Sequence, residues 1–172
     1  MENFNKNYHK FEHQMPKVIV FDLDYTLWPL WVDTHVDLPF KKLKNGDIVD
    51  KYETVVNLYE DVPQILETLQ QKGITMAAAS RTPAIDVAES LLDIMDLNKY
   101  FSAKEIYPGS KVAHFLEFKE SLDIDYNHML FFDDEERNIE DLLKLGVTAV
   151  HVPDGMSWEI LNIGMEMFSQ NS

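Results

Sequence analysis

Two aspartates two residues apart, Asp22 and Asp24, close the apolar run KVIVF (residues 17–21) and open the stretch DYTLWPLW. On an extended strand alternate side chains share a face, so both carboxylates can approach one small group where the strand turns into its loop. Other apolar runs also end in polar residues. ITMAAA (74–79) leads into Ser80 and Arg81, HMLFF (128–132) leads into Asp133 and Asp134, and Lys111 opens the helical stretch after AKEIY (103–107). Brought together, the four carboxylates repel one another by about 4 kcal/mol per pair at roughly 4 Å and an effective dielectric of about 20. A cation makes such a cluster tolerable. Oxygen donors without clustered histidine or cysteine indicate a hard ion, and a site with few protein ligands and room for water and phosphate suits Mg²⁺. Together with Lys111 and Arg81, the ion offsets the four acids and leaves the cluster able to hold a phosphate.

The elements that must position these residues follow from the patterning. Five short apolar segments (17–21, 74–79, 103–107, 128–132 and 147–152) alternate with stretches of helical period. The helix candidates are DVPQILETLQQ stopped by Gly73, PAIDVAESLLDIM with Thr82 as N-cap, SKVAHFLEFKESL with Ser110 as N-cap, ERNIEDLLKL stopped by Gly146, and a last helix SWEILNIGMEMF. This order predicts an α/β domain with a doubly wound, Rossmann-like, five-stranded parallel sheet. The ligand site then lies at the carboxyl ends of the strands, where Asp22, Asp24, Ser80, Arg81, Lys111, Asp133 and Asp134 meet.

The bulk composition narrows the function classes. The chain has 172 residues and no cysteine, so one domain over 16–172 with an ordinary apolar core is expected, without a disulfide framework. Residues 1–15 read as a flexible polar arm. They lack the apolar stretch of a signal peptide and the composition of a transit peptide, which predicts a soluble, cytoplasmic protein with the nucleus as alternative. No apolar run is long enough to cross a bilayer, so no membrane partner is expected. A net charge of −15 repels nucleic-acid backbones, and the cluster KKLK (41–44) reads as a solvated loop. A monomer is the expectation.

The words FDLDYTL, AAAS, the lysine of YPGSK and FFDDEERN, in that chain order, resemble the four motifs of the haloacid dehalogenase (HAD) superfamily. DYTLWPLWVDTHV, AAASRT, EIYPGSKVAHF and FFDDEERNI narrow the resemblance to the magnesium-dependent phosphatase 1 family, over about Pro16 to Gly155. The resemblance implies a Mg²⁺-dependent phosphomonoesterase in which Asp22 is the nucleophile that becomes an aspartyl-phosphate and Asp24 is the general acid/base. Ser80 would hold a phosphoryl oxygen, Lys111 would offset charge on the phosphate and Asp22, and Leu23, Asp24, Arg81 and Lys111 would also contact substrate. Asp134, a carboxylate of Asp22 and the main-chain carbonyl of Asp24 would hold Mg²⁺, with Asp133 setting Lys111 or a metal-bound water. Phosphotyrosine in proteins and sugar phosphates on glycated proteins are the implied substrates. The alternative class is a signalling or phosphoprotein-binding module phosphorylated on aspartate without turnover.

The stretch 28–58 is too long for a plain connection and reads as a loop or flap insert. The gaps between motifs hold no room for a cap domain, so the site is expected to be open. Two readings of Trp28 and Trp31 stand: aromatic faces for substrate, or packing of the loop onto the domain. His35 reads as a loop contact, and Met165 and Met167 as parts of a packed terminal helix.

Overall fold

The computed structural model of the chain describes residues 1–11 and 14–172. In chain order its elements are α1 (Glu2–Phe11), β1 (Val18–Phe21), β2 (Lys41–Lys42), β3 (Ile48–Val49), β4 (Val55–Val56), α2 (Val62–Gln71), β5 (Thr75–Ser80), α3 (Ile85–Ile94), β6 (Phe101–Ile106), α4 (Lys111–Leu122), β7 (Met129–Asp133), α5 (Glu136–Leu145), β8 (Thr148–His151) and α6 (Trp158–Asn171). The five long strands form a parallel sheet in the order β6-β5-β1-β7-β8. VIVF is apolar at every position because β1 is central and covered on both faces.

Alternate residues of the strands feed two cores. Ile19, Phe21, Met76, Ala78, Leu130 and Phe132 pack against α2, α3 and α6. Val18, Val20, Ala77, Ala79, Met129 and Phe131 pack on the other face against Phe115 and Phe118 of α4 and Ile139 and Leu142 of α5. The chain builds outward from β1 through β5 to β6, then returns to place β7 on the other flank of β1. The strand order therefore reverses beside β1, and a crevice opens at its carboxyl end.

Several local expectations are corrected. The polar arm expected over residues 1–15 is instead helical over Glu2–Phe11, with Phe4 and Phe11 buried and the Phe4 ring 5.5 Å from that of Trp158 on α6. Residues 12 and 13 of that arm lie outside the described residues. Thr82 does not cap α3, which starts at Ile85. Its hydroxyl accepts from the Ala84 amide at 3.2 Å and closes the turn before the helix. Ser110 does cap α4, accepting from the Val112 amide at 3.2 Å.

The insert carries its own small antiparallel sheet, β2-β3-β4, with no separate cap domain among the described residues. Asp50 organises it. Its buried carboxylate accepts from the amides of Asp37, Tyr52 and Thr54 at 3.0, 2.9 and 2.9 Å. Burial opposes the charge, yet these N–H groups outweigh it and hold the carboxyl below its ordinary range.

Candidate active site

Asp22 continues β1 by one residue, its amide donating to the Phe132 carbonyl of β7 at 3.0 Å, which locks it at the centre of the sheet edge. The register pairs Phe21 with Ala78 and with Phe132, so the ends of β5 and β7 deliver Ser80 and Asp133 on either side of it. Lys111 enters from α4 as its first residue. A lysine is poorly placed at a helix N-terminus, whose dipole is positive, but here two carboxylates receive it. Its ammonium lies 2.7 Å from Asp22 Oδ1 and 2.6 Å from Asp133 Oδ2, at 1 % side-chain exposure. Gly109 makes this approach possible: its φ of 118° lies in the left-handed region, where an L side chain is strained.

Burial alone would lower the Lys111 pKa, but Asp22 and Asp133 outweigh it and hold it above the ordinary value, so the lysine is cationic. Burial and the neighbouring Asp133 push Asp22 well above the usual carboxylate range against the pull of Lys111. Asp134, half-buried, is also pushed up, first by burial. Such raised values mark carboxylates crowded beyond what one lysine compensates. Oxygens of Asp22, Asp133 and Asp134 lie within 4.8 Å of one another. An all-carboxylate set of this size fits a hard divalent cation.

Asp24 sits apart from this cluster in its surroundings. The chain turns back directly after it, with Tyr25 at φ 56° and the Tyr25 amide donating to the Trp28 carbonyl at 2.8 Å. The indole N–H of Trp28 donates to Asp24 Oδ1 at 2.7 Å, and the Val32 amide reaches Oδ1 and Oδ2 at 3.3 and 3.4 Å. Burial raises the Asp24 pKa to about 6, although these two donors favour its charged form. The value suits a group that both gives and takes a proton near neutrality.

These residues open into a cavity of about 400 Å³ lined by Asp22, Asp24, Ser80, Arg81, Lys111 and Asp134 at its base and by Trp31, Pro108 and Arg137 among others at its mouth. Asp133 lies beneath, fully buried. The Leu23 side chain is buried in the core, so a substrate contact at this position falls to its main chain. The two tryptophans separate. Trp28 is fully buried and bonded to Asp24, whereas Trp31 is 49 % exposed and stacked on His35 at 5.4 Å. His35 is a loop contact, its Nδ1 accepting from the Trp31 amide at 2.9 Å.

Three residues at the site were not singled out from sequence. Thr26 donates its hydroxyl to Asp22 Oδ2 at 3.0 Å. Asn138, buried on α5, donates to Asp133 Oδ2 at 2.9 Å and accepts from Arg81 at 3.1 Å, linking the rim to the lysine pair. Its helical spacing with Ile139 and Leu142 was the available signal, since it puts an amide on an inward face. His114, fully buried, places its ring nitrogens against the carbonyls of Ser80, Tyr107 and Ser110 at 3.1, 2.9 and 3.1 Å.

Comparison with known proteins gives this geometry a family. The chain is 50 % identical to human magnesium-dependent phosphatase 1 over 91 % of its own length and 89 % of that protein. It is 45 % identical to a HAD-like hydrolase superfamily protein of Schizosaccharomyces pombe over 87 % and 92 % of the two chains. Among solved structures, the N-terminal part of a Bacteroides fragilis protein, containing a phosphatase domain complexed with Mg, superposes with a TM-score of 0.65 at 19 % identity, covering 94 % of this chain and 43 % of that one. A HAD-superfamily hydrolase from Ehrlichia chaffeensis gives 0.63 at 16 % identity, covering 92 % and 98 %. The Acid Phosphatase family matches residues 14–171, and the chain belongs to that family within the haloacid dehalogenase superfamily.

Proposed function

We propose that this chain is a magnesium-dependent phosphomonoesterase that works through a phospho-aspartate on Asp22. The observation that carries the reading is the placement of Asp22: one carboxylate oxygen meets Lys111 at 2.7 Å, oxygens of Asp133 and Asp134 lie within 4.8 Å, and Asp24 faces the same cavity. Asp22, Asp134 and the main-chain carbonyl of Asp24 would hold Mg²⁺, which when bound neutralises charge on the carboxylates and the phosphate oxygens. The fit rests on the oxygen-only donor set.

In the first step an oxygen of Asp22 attacks phosphorus and the bond from phosphorus to the leaving oxygen breaks. That oxygen keeps the electron pair and takes the proton of Asp24, so an alcohol or phenol departs. In the second step Asp24, now a carboxylate, takes a proton from water as the water oxygen bonds to phosphorus. The bond to Asp22 breaks, its electron pair returns to the carboxylate, and phosphate leaves with Asp24 reprotonated. Lys111 and Ser80 balance and hold the phosphoryl oxygens. Asp133, bonded to Lys111 and Asn138, fixes the ammonium between nucleophile and phosphate.

The open mouth suits bulky leaving groups. Phosphotyrosine in proteins and sugar phosphates on glycated proteins are the substrate classes we put forward, and a panel of phosphopeptides, sugar phosphates and nucleotides ranks them. Quenching turnover of an aryl phosphate in acid with Mg²⁺ present, then mapping the modified peptide, tests the mechanism. A hydroxylamine-labile phosphate on Asp22 is expected. Turnover with Asp22 never labelled, and undiminished in Asp22→Asn, would sink the reading. Label without phosphate release would favour a signalling module instead.

A further inference from the structure

We propose that Trp28 is a positioning residue that gives the two oxygens of Asp24 different tasks, and so confers turnover of phosphate esters with poor, alkoxide-like leaving groups. The inference rests on the reading of Asp24 as general acid and base and adds to it a residue that acts through Asp24. A buried indole N–H needs an acceptor, and a main-chain carbonyl would satisfy it. Here the acceptor is a carboxylate that lines the cavity. Trp28 is fully buried among apolar residues, so its N–H direction is set by packing. The loop returns on itself through the bridge between Asp24 and Trp28 and the Tyr25 amide to Trp28 carbonyl bond of 2.8 Å, which fixes the indole relative to the carboxyl.

An indole N–H only donates, so the oxygen that meets it must present a lone pair. That oxygen is Oδ1, at 2.7 Å, with a second donor in the Val32 amide at 3.3 Å. Oδ2 has the Val32 amide alone, at 3.4 Å. The proton of the acid form therefore resides on Oδ2, and rotation of the carboxyl that would exchange the oxygens breaks the indole bond. When the leaving oxygen departs with its electron pair, the proton it takes is the one on Oδ2, the oxygen that the indole leaves free. A leaving group that is stable as an anion, such as nitrophenolate, gains little from this. One that leaves as an alkoxide depends on it.

The test compares kcat/KM across a series of phosphate monoesters, from 4-nitrophenyl phosphate through phenyl phosphate to alkyl phosphates, with Mg²⁺ in excess. In Trp28→Phe, which keeps a ring but loses the N–H, the loss should grow along the series from about threefold to roughly a hundredfold, within the span of general acid catalysis. Because Phe leaves a gap where the larger ring was, site-specific replacement of Trp28 by benzothienylalanine, with sulfur in place of N–H, gives a variant of matched volume that should show the same gradient. Equal loss on every ester, or lowered thermal stability with an unchanged gradient, overturns the proposal. Asp24→Asn separates the two layers of argument. If it shows the gradient and the Trp28 variants do not, the role of Trp28 falls alone. If Asp24→Asn loses evenly across the series, the acid role of Asp24 falls and takes the Trp28 proposal with it.

Discussion

Asp22, Lys111 and Asp133 are held in a different way from Asp24 and Trp31, although all five serve one crevice. The first three come from the ends of neighbouring strands and the start of α4, are almost fully buried, and satisfy one another through charge at 2.6 to 2.7 Å. Asp24 and Trp31 ride on a loop that doubles back from β1, and hydrogen bonds from within that loop, with stacking on His35, fix them. The contrast teaches a division of labour. On the proposed mechanism the sheet edge would supply an attacking group whose geometry is insulated from the solvent side, while the loop would supply the proton and the surface that meets the leaving group. On that reading a change in the first region would cost chemistry or the fold, and in the second a change at Asp24 would cost proton transfer while one at Trp31 would cost selectivity.

The largest effect that would break this comparison is on turnover. Asp22→Asn should lower kcat on any aryl phosphate by on the order of 10⁴-fold or more, with melting behaviour retained, since the amide keeps the shape but not the nucleophile. A fall limited to KM would show that Asp22 only binds. Lys111→Met addresses the insulation of the same region. It leaves Asp22 and Asp133 buried without their cation, a change that costs about 3–5 kcal/mol for a broken buried pair. Chemical denaturation would measure it, and an unchanged midpoint would mean the three groups are not coupled.

Mg²⁺ should compensate part of the crowding that remains in the native chain. Adding it should raise the melting temperature, because an ion bound only by the folded state stabilises that state. Asp134→Asn should blunt the rise, whereas Glu166→Gln, far along α6, should not. On the loop side, Trp31→Ala should raise KM by roughly tenfold for aromatic esters, about the value of a well-placed ring contact, and leave both kcat and thermal stability close to the parent. A matching loss of stability would mean that the exposed indole packs the loop and does nothing for substrate.

The same division explains what could be read in the sequence. Strand-end residues were legible because apolar runs followed by acids, serine or lysine are local patterns, and the α/β order carries them to one edge. The loop was legible only as an irregular stretch. Strands of two residues, such as Ile48–Val49, are too short for any period to register, and the acceptor role of Asp50 depends on amides up to thirteen positions away. Trp28 and Trp31 could not be told apart by type, since the turn that buries one and exposes the other depends on the left-handed Tyr25. The helix at the N-terminus was missed for another reason: its polar average hid Phe4, Tyr8 and Phe11, which recur at helical spacing.

His114 gives the smallest expected effect and the finest probe of how α4 is tied to the sheet edge. Burial first, and then the charge of Lys111, push its pKa below the ordinary imidazole value, against the pull of the three carbonyls around it. The neutral ring carries one N–H, and Nε2 faces the carbonyls of both Ser80 and Tyr107, so a proton there joins the end of β5 to the loop before α4. The unfolded chain binds a proton to this residue at a higher pH than the folded chain does. Its contribution to stability is therefore complete above the ordinary value of about 6.5 and is lost as pH falls from there through the lower folded value. His114→Gln keeps a donor but removes the titration. Between pH 7 and pH 5 the melting temperature of the parent should fall more steeply than that of the variant. Parallel curves would show that the ring titrates alike in the folded and unfolded chain, and a shallower fall in the parent would show a ring already charged in the folded state, held by its carbonyls as an imidazolium.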